Sequence, residues 1–149
     1  MMKRLFFFFM ISILLTNCGY KPIYNAEQDN FQISNINFSG EKNINFIINN
    51  YLKTYKNVKN SKIKYQLQIN SFKTINISSR DSKGDPEFYN MFIVIDMEDI
   101  DRNTKKSFQK KFIYKEQSNR FALKQLEKNI EKDLVGKILE EITLFLKAN

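Results

Sequence analysis

The segment 62–78, KIKYQLQINSFKTINIS, constrains the fold of this chain more than any other. Its first part alternates apolar Ile63, Tyr65, Leu67 and Ile69 with polar residues. Because successive side chains of a strand point to opposite faces, this pattern predicts a strand in a sheet that is buried on one face and solvated on the other. The rest of the chain must therefore supply a layer that covers the apolar face.

Two amphipathic segments can supply that layer. Apolar residues recur at helical spacing over about 43–57, and a second stripe follows Asn119, a residue type that favours the N-cap position. The first stripe is Ile44, Ile47, Ile48, Tyr51, Leu52 and Tyr55, and the second is Leu123, Leu126, Ile130, Leu134, Ile138, Ile142 and Phe145. We expect both helices to lie on one face of the sheet.

Three further segments are strand-like. FQISNINF (31–38) changes the phase of its apolar residues, which predicts a bulge at Ser34-Asn35. EFYNMFIVIDMEDI (87–100) is apolar on both faces from Tyr89 to Ile95, which favours a central strand, and KKSFQKKFIYKE (105–116) follows it. The turn composition of Ser78–Pro86 separates the second and third strands. The order β-α-β-β-β-α predicts an α+β fold, with two helices packed on a four-stranded, largely antiparallel sheet.

The charges of the last two strands indicate a register for their hairpin. Pairing Asp101 with Lys106 places Asp96 opposite Lys111, and it sets Ile95 opposite a phenylalanine, Phe112. Opposite charges directly across an antiparallel pair contribute a few tenths of a kcal/mol each. We therefore expect this register.

The N-terminus has the pattern of a lipoprotein signal. Lys3 and Arg4 precede the apolar run Leu5–Leu15, which is too short to span a bilayer but suits a secretory signal. The run leads into Leu-Thr-Asn-Cys-Gly, which resembles a bacterial lipobox ending at Cys18. We expect 1–17 to be a removed signal peptide, 18–30 a lipidated tether anchored by Cys18, and 31–149 a single domain.

Composition narrows the possible chemistry. The chain has no histidine and one cysteine, which argues against the usual zinc sites, histidine-based triads and an intrachain disulfide. The acidic run Asp96, Glu98, Asp99 and Asp101 lacks the glycine and the distal glutamate of an EF-hand, and we expect a solvent-facing edge paired with lysines. We expect neither catalysis, nor a metal, nor any cofactor beyond the lipid on Cys18.

The net charge of +8 is unevenly distributed along the chain. From Lys42 to Arg80 there are eight basic residues and no acidic one, whereas 13 of each balance from Asp81 onward. Such a basic lobe attracts polyanions, which in a cell envelope are lipid phosphates or lipopolysaccharide rather than nucleic acid. The alternative is that lysines simply cover a solvated face. The candidate anion-binding residues of this lobe are Lys59, Lys62, Lys64 and Arg80.

The segment CGYKPIY directly after the lipobox, together with the layout β-α-β-β-β-α and the stretch Tyr114–Arg120, resembles the LPS-assembly lipoprotein family (LptE). The resemblance implies a non-enzymatic protein held in the outer membrane by its lipid. It implies that the protein plugs and helps assemble the β-barrel translocon for lipopolysaccharide, and binds lipopolysaccharide. In that family the loop between the second and third strands contributes to these contacts. The matching positions are Ser79–Asp85, with Arg80 and Lys83 as basic candidates.

Two other functions stay open on the sequence. An auxiliary lipoprotein of a lipid-exporting ABC system would carry a groove of apolar side chains for acyl tails and would not co-purify with a barrel. A carboxylate-based envelope hydrolase would need two acidic side chains converging in a cleft, about 5–10 Å apart for glycoside chemistry.

Overall fold

The element order agrees with the sequence prediction. The computed structural model describes residues 31–149 apart from 57, 59 and 60, so the expected signal peptide and tether lie outside the described residues. The elements are β1 (Phe31–Gly40), α1 (Lys42–Leu52), a 3-10 turn (Lys53–Tyr55), β2 (Ile63–Arg80), β3 (Pro86–Asp99), β4 (Thr104–Lys115) and α2 (Arg120–Ala148). The predicted α+β class, with two helices and four strands in the order β-α-β-β-β-α, is confirmed.

The four strands form one sheet in the order β1-β2-β3-β4. β1 runs parallel to β2, and the other two pairs are antiparallel, as the sequence predicted for most of the sheet. Odd-numbered residues of β2 and β3, such as Leu67, Ile69, Ile93 and Ile95, are fully buried beneath the helices. Their even-numbered neighbours, such as Gln68, face the opposite side, which no element covers among the described residues.

The bulge predicted in β1 is confirmed. The register passes from Ile33 opposite Tyr65 to Asn35 opposite Gln66, so that Ser34 is the extra residue. The Ser34 hydroxyl donates to the Tyr65 carbonyl at 2.9 Å. Because the bulge restores the phase, Ile33 and Ile36 both lie on the buried face.

The helices cover the sheet with the predicted stripes. α1 buries Ile44, Ile48 and Leu52, and it is shorter than predicted because a 3-10 turn replaces its last residues. In α2 the middle of the stripe is buried, and its two ends are partly buried. The predicted N-cap is confirmed, since Asn119 Oδ1 accepts from the N–H groups of Phe121 at 2.8 Å and Ala122 at 3.2 Å.

The predicted register of the β3–β4 hairpin is wrong by four residues. Ile95 lies opposite Phe108, while Phe112 lies opposite Met91. The turn supplies the reason, because its last residue, Asn103, adopts φ 50, and asparagine tolerates this left-handed conformation better than most residues. Cross-strand charge pairs contribute only a few tenths of a kcal/mol each, which is too little to fix a register by themselves.

Strand lengths differ in a way that shapes one side of the molecule. β1 ends at Gly40, opposite Ser71, whereas β2 continues to Arg80. The second half of β2 therefore pairs with β3 alone. The β2–β3 hairpin extends beyond the part of the sheet that β1 and α1 cover.

Candidate functional site

A groove lies between the two helices, above the point where β1 has ended. Its volume is about 660 Å³. We call it the interhelical groove. It is lined by Asn43, Phe46 and Ile47 of α1, Lys73 and Ile75 of β2, and Lys124, Gln125, Glu127, Lys128, Asn129, Glu131 and Lys132 of α2.

The interhelical groove contains exposed apolar side chains. Phe46 is 68% exposed and Ile75 is 37% exposed, while Ile47 is partly buried between them and the core. Ile75 continues the helix-facing row of β2, but it lies four residues beyond the position where β1 stops. Ile75 is therefore exposed in the groove because β1 has already ended at this level of the sheet.

One wall of the groove carries a row of lysines. Lys124, Lys128 and Lys132 are four residues apart on α2, so their side chains project from the same side of the helix. All three are exposed, and no hydrogen bond or ion pair joins any of them to another described residue. Three cationic groups thus face solvent beside apolar surface.

The two glutamates of the same wall are already engaged. Glu131 is 6% exposed, and its Oε2 lies 2.5 Å from Lys73 Nζ. Glu127 accepts a hydrogen bond from the Tyr114 hydroxyl at 2.7 Å. Burial, followed by this hydrogen bond to Glu127, raises the pKa of Tyr114 well above its usual value. Glu131 is paired with Lys73, whereas Glu127 accepts from a neutral hydroxyl and keeps its charge, so neither carboxylate forms an ion pair with a lysine of the row.

The lysine row is not evident from the charge balance of the sequence, because counts of charges do not place them in space. From Asp81 onward basic and acidic residues balance in number, so this segment shows no excess of charge. The four-residue spacing of Lys124, Lys128 and Lys132 beside the apolar stripe is the sequence pattern that indicates a row of lysines on one side of the helix. The direction of Glu127 and Glu131 depends on Tyr114 and Lys73, which lie on other elements.

The predicted basic residues Arg80 and Lys83 lie at the tip of the β2–β3 hairpin. Arg80 Nη1 donates to the Gly84 carbonyl at 2.8 Å. Asp81 Oδ1 accepts from the backbone N–H groups of Lys83 and Asp85, both at 2.9 Å. Arg80 and Lys83 are thus matched in number by Asp81 and Asp85.

Lys62 and Lys64 lie at the other end of β2. At about 3.3 Å per residue, roughly 50 Å of strand separates Lys64 from Arg80. Lys59 and Cys18 lie outside the described residues. Lys64 and Arg80 therefore lie at opposite ends of the sheet, because a long strand separates them. The anion-binding role of the individual residues stays a prediction.

The acidic run considered for calcium does not converge. Glu98 pairs with Lys105 at 3.2 Å, as expected for a solvent-facing edge. Asp99 instead faces the helices, is 3% exposed and pairs with Arg102 at 2.7 Å. No group of three metal-ligating side chains forms among the described residues. No helix in the described part of the chain is long and apolar enough to cross a membrane.

Comparison with known proteins places this fold among bacterial lipoproteins of known structure. The solution structure of an uncharacterized lipoprotein B from Nitrosomonas europaea superposes with a TM-score of 0.52 at 15% identity, covering 81% of this chain and 90% of that chain. The crystal structure of the rare lipoprotein B from Shewanella oneidensis gives a TM-score of 0.48 at 11% identity, over 74% of this chain and 95% of that one. No protein-family model and no curated protein sequence matches the chain. The first of these likenesses shows a shared fold.

Proposed function

We propose that this protein is an outer-membrane lipoprotein of lipopolysaccharide transport. In this proposal the lipid on Cys18 anchors it to the periplasmic face of the outer membrane, where it plugs and helps assemble a β-barrel translocon. The observation that carries the proposal is the interhelical groove, which combines exposed apolar side chains with three lysines that have no hydrogen-bond or ion-pair partner among the described residues. Such a groove fits an anionic amphiphile.

The chemistry of lipopolysaccharide matches this groove in two respects. Its phosphates and acid sugars can accept charge-assisted hydrogen bonds from Lys124, Lys128 and Lys132. Its acyl chains can cover the exposed side chains of Phe46 and Ile75 and remove them from water, at roughly 25 cal/mol for each Å² of apolar surface buried. The mechanism we propose is electrostatic capture followed by apolar contact.

The proposed function needs no covalent chemistry. Glu127 and Glu131 are the carboxylates of the groove, and a hydrolase would require both to act on a bound substrate. Tyr114 and Lys73 already occupy them. We therefore propose a binding and assembly role rather than an enzymatic one.

The hairpin tip is the part of this molecule that we propose to contact the barrel. Arg80 and Lys83 are exposed there, at the end of two strands that extend past β1 and α1. The turn is held by Asp81, which accepts two backbone hydrogen bonds. The tip therefore projects beyond the part of the sheet that β1 and α1 cover.

A second function is favoured by the apolar floor of the groove. An auxiliary lipoprotein of another envelope lipid-transport system of the ABC type would also need a site for acyl tails. The exposed Phe46 and Ile75 would suit it equally well. The two functions differ in their protein partner.

The partner is tested by purifying the lipidated, membrane-extracted protein through an affinity tag and identifying the proteins that come with it by mass spectrometry. We expect a large outer-membrane β-barrel at a stoichiometric ratio. Recovery of the protein alone, or together with inner-membrane transporter subunits, would contradict the translocon proposal and favour the auxiliary function.

The ligand site is tested by reversing charges in the groove. We expect the double variant Lys128→Glu, Lys132→Glu to bind lipopolysaccharide micelles about tenfold or more weakly than the unchanged protein, because it replaces attraction with repulsion. The matched variant Lys106→Glu, Lys111→Glu makes the same change in net charge on β4, outside the groove. Equal losses in both variants would show that net charge, and not the groove, governs binding.

The hairpin tip is compared in the same assay through Arg80→Glu, Lys83→Glu. We expect a smaller loss than for the groove variant, because Asp81 and Asp85 already offset these two cations. A larger loss at the tip than in the groove would move the lipopolysaccharide site to the hairpin. The measurement is a titration monitored by light scattering at two salt concentrations, since screening weakens exposed charge interactions.

A further inference from the structure

The lysine row of α2 extends over about two turns of the helix. Lys124, Lys128 and Lys132 follow one another at intervals of four residues. At a rise of 1.5 Å per residue, neighbouring members of the row lie about 6 Å apart along the helix axis, and its two ends lie about 12 Å apart. A single phosphate group bound at one end of the row therefore leaves the lysine at the other end without an anionic partner.

The charge of the groove lining also corresponds to more than one anionic group. The lining contains four lysines and two glutamates, which leaves an excess of two positive charges. Lys73 and Glu131 form an ion pair, so this excess belongs to the row. Glu127 offsets part of the charge of the row while its own hydrogen bond is made with Tyr114. A ligand with an anionic group at each end of the row matches both the amount of charge and its spread.

Apolar surface runs beside the row. Ile75 and Ile77 are two residues apart on β2, so both side chains face the helix layer, and they are 37% and 42% exposed. Phe46 of α1 is exposed in the same groove. A hydrophilic polyanion would leave this surface in water, whereas acyl chains would cover it. The chemistry that fits is therefore an amphiphile with more than one anionic group.

The chain's own tether cannot supply these anionic groups. Its two carboxylates, Glu27 and Asp29, are at most four residues from Phe31, which is about 14 Å in a fully extended chain. Phe31 lies opposite Ile63, whereas Lys73, the first residue of β2 in the groove, is about 33 Å further along the strand. The lysine row is therefore beyond the reach of both carboxylates.

Charge also disfavours a second copy of this chain, because a two-fold contact through the groove would place one lysine row against another. We infer that the interhelical groove selects amphiphiles whose headgroup carries two phosphate groups far enough apart to engage both ends of the lysine row. This inference rests on the proposed function, since it specifies the class of lipid bound at the same site. A glycolipid with a phosphate on each sugar of a disaccharide has such a headgroup. A phospholipid with two phosphates joined by one glycerol has the same groups at a shorter spacing.

The test compares lipids that differ in the number and spacing of their phosphates. The probes are diphosphoryl lipid A, monophosphoryl lipid A with the same acyl chains, cardiolipin and phosphatidylglycerol, each diluted into neutral detergent so that most micelles hold a single probe molecule. Affinity for the full-length protein is measured by calorimetric titration. We expect diphosphoryl lipid A to bind about tenfold more tightly than monophosphoryl lipid A, because its second phosphate gains charge-assisted hydrogen bonds. We expect cardiolipin to bind less tightly than diphosphoryl lipid A.

Variants at the two ends of the row separate the spacing of charges from their total. We expect Lys124→Gln and Lys132→Gln each to lower the preference for the diphosphoryl probe from about tenfold to about twofold or less, with little effect on the monophosphoryl probe. Lys111→Gln is the matched control, because it makes the same change of charge on β4, outside the groove. We expect it to keep the preference. All three side chains are exposed, so each variant is expected to fold.

The outcomes distinguish this inference from the function on which it rests. Equal binding of the diphosphoryl and monophosphoryl probes would overturn the inference and leave lipopolysaccharide binding in place, whereas binding of neither probe would overturn both. Tighter binding of cardiolipin than of diphosphoryl lipid A would contradict the spacing, as would an unchanged preference in both end variants.

Two further probes test the apolar part of the site. A deacylated, diphosphorylated disaccharide that binds as tightly as the intact glycolipid would show that the apolar surface takes no part, and would overturn the assignment to an amphiphile. An acidic amphipathic peptide that displaces the diphosphoryl probe and binds more tightly would make a protein segment the occupant. We expect both to bind more weakly than diphosphoryl lipid A.

Discussion

At the scale of single residues, two glutamates on α2 have partners on the sheet rather than in the lysine row of the interhelical groove. Glu127 accepts from the Tyr114 hydroxyl, and Glu131 pairs with Lys73. The neighbouring lysines are left without partners among the described residues. A residue on β4 thus holds one of the carboxylates of α2 beside the groove.

Tyr114 makes a pH-dependent contribution to stability that can be measured. Burial and the bond to Glu127 raise its pKa in the folded state, so the folded protein keeps this proton when the unfolded chain loses it near pH 10. Its contribution is therefore complete below about pH 10 and is lost as pH rises further. In urea unfolding at a series of pH values, we expect Tyr114→Phe to lose stability less steeply above about pH 10 than the unchanged protein.

Glu127→Gln separates the two causes. It keeps an acceptor for the Tyr114 hydroxyl but removes the negative charge, so we expect an intermediate slope. Identical slopes in all three proteins would contradict the account of Tyr114.

At the scale of elements, the end of β1 determines which surfaces remain open. Gly40 has φ +87, and a Cβ placed there would lie 2.0 Å from the Ser71 carbonyl oxygen. The chain turns at this glycine into α1, which leaves both the groove and the β2 edge uncovered. One backbone conformation thus leaves two neighbouring surfaces open.

Gly40→Ala tests this role. We expect it to lower the free energy of unfolding by about 2 kcal/mol or more, because strained φ and a backbone clash act together. The control Gly84→Ala has the same sign of φ, at +88, but open space around its Cβ, so about 1 kcal/mol is expected. Chemical denaturation of the two variants and the unchanged protein measures both losses. Equal losses would show that the contact with Ser71 is unimportant.

The helices and strands also show which structural features can be predicted from neighbouring residues of the sequence. The bulge at Ser34-Asn35, the Asn119 cap and the stripe on α2 were predicted, because each depends on residues close together in the chain. The charge pattern predicts the wrong β3–β4 register, because cross-strand charge pairs are weak and the turn also constrains the pairing. Asn103 in a left-handed conformation decided that register.

At the scale of the whole molecule, one core between the sheet and the two helices holds the fold together. Ile138 and Ile142 of α2 are fully buried against the sheet, and Ile44 and Ile48 of α1 share the same core. The sheet extends beyond this core at the β2–β3 hairpin. The molecule therefore has a packed body and a projecting hairpin.

Ile138→Ala is expected to lower the free energy of unfolding by about 2–5 kcal/mol, since it removes a fully buried side chain and leaves a cavity. Leu144→Ala makes a similar change on the same helix at a residue that is 67% exposed, and less than about 0.5 kcal/mol is expected. Calorimetry or denaturant titration measures both. A large loss in Leu144→Ala would indicate that this side of α2 is covered by a partner copy or another surface in solution.

The sequence by itself determined the fold class, because alternation along β2 and the stripes on α1 and α2 are properties of neighbouring residues. It also determined where β1 bulges and where α2 begins. Only the tertiary structure decided how charges are grouped. A long extended strand separates Lys64 from Arg80, while α2 and the sheet bring Lys73 and Tyr114 to the two glutamates. Charge grouping depends on contacts between distant segments, which counts of basic and acidic residues along the chain do not contain.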